Sequence, residues 1–148
     1  MTAKRIVVVI SLLLFVSMFY LASNCDNGAE ELLVGIWFNS DYDASDVTPV
    51  KLVLTSDGKT EEYLHVSDTE PYAVGTYSIT NSWVDDNGNT WYVWTQSSHA
   101  IGTDITWEGY ILTKIDNVGT TAEMVWDEDD YPVEINPSNP SYAIYYRQ

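Results

Sequence analysis

After residue 31 the chain alternates apolar and polar positions in short runs, and turn-forming residues interrupt the runs at regular intervals. Leu32–Phe38 starts the pattern. Val50–Thr55 follows, with Val50, Leu52 and Leu54 on one face. Thr60–Val66 returns, with Leu64 and Val66 on one face and Tyr63 and His65 on the other. Ala73–Thr80, Thr90–Gln96, Asp104–Ile115, Thr120–Trp126 and Tyr142–Arg147 complete a set of about eight predicted strands. Between them stand Ser56-Asp57-Gly58-Lys59, Ser67–Pro71, Asp85-Asp86-Asn87-Gly88-Asn89, Ser97–Gly102 and Asp116-Asn117-Val118-Gly119. Asp-Gly supplies the positive φ of a tight hairpin turn, and Gly75 is expected to mark a bulge or bend. Asn39–Pro49 and Asp127–Pro140 read as the longer loops, the second with a short extended piece at Pro132–Ile135. No stretch in this region has a helical apolar period.

Short turns make neighbouring strands antiparallel. The expected fold is therefore all-β, an antiparallel up-and-down barrel of about eight strands, because closure removes exposed sheet edges. A β-sandwich is the alternative. The 6 Trp, 11 Tyr and 3 Phe suit half-buried strands.

The N-terminus breaks this pattern. Lys4 and Arg5 precede an apolar run, Ile6 to Leu21, interrupted only by Ser11, Ser17 and Tyr20, which leads into Ala22-Ser23-Asn24-Cys25. A basic patch, an apolar stretch and small residues form the layout of a secretory leader, expected to be helical. A membrane-spanning anchor and a cleaved signal without lipid are the alternatives. The only cysteine of the chain lies at the end of the run, so no intramolecular disulfide can form. Leu21-Ala22-Ser23-Asn24-Cys25 resembles the lipobox of bacterial lipoproteins. That resemblance implies cleavage before Cys25 and lipid attachment to its thiol. The organisation expected is then a lipoprotein signal peptide at 1–24, the lipidated Cys25 with a short tether at 25–31, and one barrel domain at 32–148.

Charge narrows the partners. All 22 acidic residues follow Cys25, against four of the six basic ones, which makes −18 from Cys25 onward. Nucleic acid is excluded as a partner on this balance, since phosphate binding needs basic patches. Anionic headgroups would repel the domain, which leaves the lipid as the membrane contact. The expected location is the bacterial cell envelope, with the domain facing the periplasm or the cell surface.

Candidate chemistry is sparse. His65 and His99 lie in no nucleophile motif, and Cys25 is assigned to lipid, so no catalytic residues are expected. Asp85-Asp86-Asn87-Gly88-Asn89 fails as a calcium loop, because Thr90 stands where the pattern needs Gly and Gln96 where it needs Glu. The acidic stretches Asp127-Glu128-Asp129-Asp130 and Asp41/Asp43/Asp46 have no ligand spacing. No metal or cofactor is expected. Trp91 and Trp94, three apart, face opposite sides of one strand, so both its faces are apolar. Trp83, Trp91, Trp94, Trp107 and Trp126 are candidates for ligand or partner contacts, against a plain core role.

Gly35-x-Trp37 in the first strand, the meander, and Arg147 at the end of the last strand together resemble the lipocalin-like group, specifically the small bacterial lipocalin-like lipoproteins. The resemblance spans about Gly35 to Arg147. It implies that Trp37 plugs one end of the barrel with Arg147 packed over its indole. It further implies a non-enzymatic binding protein for a small apolar ligand or an envelope protein. A structural or interaction lipoprotein with a filled core is the alternative, and a hydrolase working through acidic residues is a third.

Overall fold

The computed structural model describes residues 32–39 and 50–148. The leader, Cys25, the tether, and all of the loop expected from Asn39 to Pro49 except Asn39 therefore lie outside the described residues. Eight strands follow: β1 (Gly35–Asn39), β2 (Lys51–Leu54), β3 (Lys59–Tyr63), β4 (Ala73–Val84), β5 (Thr90–Ala100), β6 (Thr106–Ile115), β7 (Thr121–Asp127) and β8 (Tyr142–Arg147). Each pairs antiparallel with the next, and β8 pairs with β1 through Trp37↔Arg147 and Asn39↔Tyr145. The sheet is a closed up-and-down barrel, not a sandwich.

Several element boundaries differ from the sequence expectation: β1 starts at Gly35, not Leu32, β6 starts at Thr106, not Asp104, and three further differences bear on the site and the edge. The return strand stops at Tyr63, and Leu64, His65 and Val66 are exposed. β4 runs past Thr80 through Trp83 and Val84, and its register shift lies between Ile79 and Asn81, not at Gly75. β5 continues through Ser97-Ser98-His99, where a turn was expected. Those three residues pair with Thr76, Gly75 and Val74 on one side and with Glu108, Trp107 and Thr106 on the other. A strand held by ladders on both sides persists whatever the weak strand preference of serine. Pro132–Ile135 forms no strand, and Val133 is almost fully exposed.

The connections divide the barrel into two ends. The turns after β2, β4 and β6 lie at one end, with Leu32–Val34 entering β1 there. This is the turn end. The connections after β3, β5 and β7, the first and last of them longer than any turn at the turn end, lie at the other, the loop end. The apolar core fills the turn end and the middle. Leu33, Trp37, Tyr92, Trp94, Ile115 and Ala122 have no solvent-accessible surface. Side chains in that state border no space large enough for a water molecule, so this part of the barrel is packed solid.

Polar atoms in the packed part have partners. Trp94 Nε1 donates to Thr113 Oγ1 at 2.8 Å, and Trp37 Nε1 donates to the Leu33 carbonyl at 2.9 Å. Arg147 closes the turn end. Its guanidinium lies 4.9 Å from the Trp37 ring and donates to the carbonyls of Leu32 and Val34 at 2.7 and 2.6 Å.

Candidate functional site

The loop end of the interior has a different chemistry. In the β2–β3 hairpin, Leu54 faces Thr60 and Leu52 faces Glu62. Leu52 and Leu54 point into the core, so the register sends Thr60 and Glu62 inward too. Glu62 is 3% exposed. Its Oε1 accepts from Gln96 Nε2 at 2.6 Å, and its Oε2 accepts from the Tyr72 hydroxyl at 3.0 Å. Gln96 Nε2 also donates to Ser98 Oγ at 2.8 Å, and Ser98 Oγ lies 3.4 Å from Thr60 Oγ1.

These contacts join β3 to β5 across the intervening β4, and Gly75 is the reason they can. Gly75 sits between Thr60 and Ser98 in the ladder. A Cβ there would collide with the Ser97 carbonyl oxygen and come within 2.5 Å of Ser98 Oγ. The missing side chain lets the β3 and β5 hydroxyls meet over the backbone of β4.

Among the described residues no Lys or Arg pairs with Glu62; the two ion pairs are Lys59–Asp57 and Lys114–Glu123. Burial pushes the Glu62 carboxyl above the ordinary glutamate range, against the opposing hydrogen bonds of Ser98, Tyr72, Trp107 and Gln96. Tyr145, buried opposite Asn39, has its hydroxyl pushed up by burial and then by the negative charge of Glu62. The group can accept hydrogen bonds as a carboxylate or hold a proton as an acid.

The tryptophans singled out in the sequence fall into three places. Trp94 is sealed in the core, with Tyr77 edge-on at 5.8 Å. Trp107 and Trp126 lie at the loop end. Trp107 stacks on Tyr72 at 6.2 Å, beside Glu62, and the Trp126 indole lies over Gly109 of β6. Trp83 and Trp91 stand together on the outer wall, 5.7 Å apart and nearly parallel. The Asp85 carboxylate holds that pair's geometry. Its Oδ2 accepts from Trp91 Nε1 at 2.9 Å, and its Oδ1 accepts from the Asn87 and Asn89 amides. These bonds, led by the one from Trp91, lower the Asp85 carboxyl to about 2.

Glu62, Gln96, Ser98, Tyr72 and Tyr145 did not stand out in the sequence. The signal for Glu62 was the hairpin register, since the turn that pairs Leu54 with Thr60 also pairs Leu52 with Glu62. His65 and His99 are both exposed. Among the described residues no three His, Cys, Asp or Glu side chains converge as metal ligands would. No protein-family model, curated protein or solved structure matches this chain.

Proposed function

We propose that this chain is a non-enzymatic lipoprotein of the bacterial cell envelope, held to the membrane through Cys25. Its lipocalin-like barrel binds a small, largely apolar ligand at the loop end. The observation that carries this reading is the asymmetry of the interior. The turn end is plugged by Trp37 and Arg147, while the loop end combines the Tyr72–Trp107 stack and Trp126 with the hydrogen-bonding set of Glu62, Gln96 and Ser98. Aromatic walls with a few convergent polar groups are the usual make-up of a small-molecule site. The buried carboxyl and the acidic chain favour a neutral or cationic ligand over an anion.

The test is tryptophan emission of the full chain in lipid nanodiscs, titrated with a long-chain alcohol, an alkylamine and a fatty acid. A saturable shift with the alcohol or amine, absent with the fatty acid and lost in Trp107→Phe, is expected. No saturable shift with any of the three would sink the ligand reading. For the anchor, Cys25→Ser is expected to release the protein from membranes, and unchanged fractionation would overturn it.

A second reading, a partner-binding lipoprotein with a filled core, rests on a separate observation. The middle of the barrel is solid, and two tryptophans stand on its outer wall with Trp83 41% exposed.

A further inference from the structure

The barrel closes, but not along the full length of every strand. β3 pairs with β4 only from Lys59↔Thr76 to Glu62↔Ala73, with a last backbone bond from the Tyr77 amide to the Gly58 carbonyl. β4 runs on to Val84, so among the described residues Ser78–Val84 has a strand neighbour on the β5 side alone. The Asp85 amide donates to the Asn89 carbonyl. By the alternation of an antiparallel ladder, Trp83 and Asn81 then face β5, and Ser82 and Val84 turn their amides and carbonyls to the free edge. Exposed edges normally carry charge, proline or a very short strand as protection. This one carries none of these, and its one irregularity, the register shift between Ile79 and Asn81, lies before the Ser82–Val84 stretch. All of β4, Ala73 to Val84, lacks a charged residue, in a chain with 22 acidic ones.

We infer that this free edge of β4 pairs antiparallel with the same edge of a second copy of the chain. The inference is independent of the ligand reading. A two-fold axis at Trp83 sets Ser82 opposite the second copy's Val84, and both residues present to the edge backbone groups that have no strand neighbour there among the described residues. Trp83 then faces its own counterpart at a non-hydrogen-bonded position, where side chains approach most closely. Trp83 already stacks on Trp91, so the two outer-wall pairs would join into one aromatic row across the axis. The same register sets Asp85 opposite the uncharged Asn81, so the acidic turns of the two copies do not face each other. A foreign strand could use the backbone groups, but it would not be matched by this self-complementary placement of Trp83.

A pairing this short is weak, and two acidic bodies repel each other at low ionic strength. The test is therefore sedimentation of the full chain in detergent over a wide range of protein and salt concentrations. A two-copy mass that grows with protein concentration and with salt is expected. Ser82→Pro removes one free-edge donor and no bond to β5, and it is expected to abolish the two-copy mass while circular dichroism and melting stay unchanged. Should Ser82→Pro fail to fold, hydrogen exchange on the unaltered chain decides. The Ser82 and Val84 amides are expected to slow as concentration rises, while the exposed turn amides do not. A one-copy mass throughout, a two-copy mass in folded Ser82→Pro, or concentration-independent exchange would each overturn the inference. Protection of these amides only in whole membranes would assign the edge to another envelope protein and overturn self-pairing.

Discussion

At the turn end of the barrel, Trp37, Leu33, Ile115 and Ala122 are packed to zero exposure, and the charged group that covers Trp37, Arg147, sits at the rim with its Nη2 donating to two carbonyls. At the loop end the charged group is inside. Glu62 lies among hydroxyls, an amide and aromatic rings with no cation beside it among the described residues. The same sheet builds both ends, so the difference lies in which residue types the strand alternation sends inward. A cation at a rim keeps part of its hydration and covers an indole at little cost. A carboxyl in the interior loses its hydration and must be repaid by donors. The first arrangement serves stability; the second is retained at a cost to stability and is the better candidate for binding.

Mutations at the two ends should separate these roles. The largest effect is expected from Trp37→Ala, which empties the plug. Loss of a buried aromatic costs about 3–5 kcal/mol, and chemical denaturation would measure it. Arg147→Ala removes charged donors from two carbonyls and uncovers the indole, and should cost about 2–3 kcal/mol by the same measurement. An unchanged midpoint would mean that the plug stands without its cover.

At the loop end, Gly75→Ala forces β4 away from Ser97 and Ser98, and about 1–3 kcal/mol of overpacking strain is expected. It should also part Glu62 from Gln96 and so increase the pH dependence of stability. Glu62→Gln should have the smallest effect and the opposite sign. The folded pKa of Glu62 lies above its unfolded value, so the folded state holds more protons between the two. The stability this contributes is full below the ordinary glutamate range and is lost as pH rises through the folded value. Glu62→Gln removes that loss, so the variant should melt higher than the parent at neutral pH and equally or lower in acid. A difference in melting temperature that does not change with pH would contradict a buried, raised carboxyl.

Much of the architecture is written in local residues. Asp57-Gly58, Asn87-Gly88 and Val118-Gly119 mark turns that the structure contains, and the alternation between them identifies strands, because both signals act over a few residues. Ser97-Ser98-His99 and Ser82-Trp83-Val84 carry no such local signal, for the converse reason. Their strand conformation is imposed by neighbours distant in sequence, which local preference does not register. Trp91 and Trp94 illustrate the boundary. Their spacing alone places them on opposite faces, and the structure has Trp94 sealed in the core and Trp91 on the outer wall.

By itself, then, the sequence determined an all-β chain of about eight antiparallel strands, its turns, its acidity, and an N-terminus shaped like a secretory leader. These follow from composition, period and turn chemistry, which need no knowledge of what lies across the molecule. Closure of the barrel, the meeting of Arg147 with Leu32 and Val34, the joining of β3 to β5 over Gly75, and the unpaired edge of β4 were decided by tertiary structure. Each depends on the register between strands, and a shift of one residue in β3 would have turned Glu62 outward.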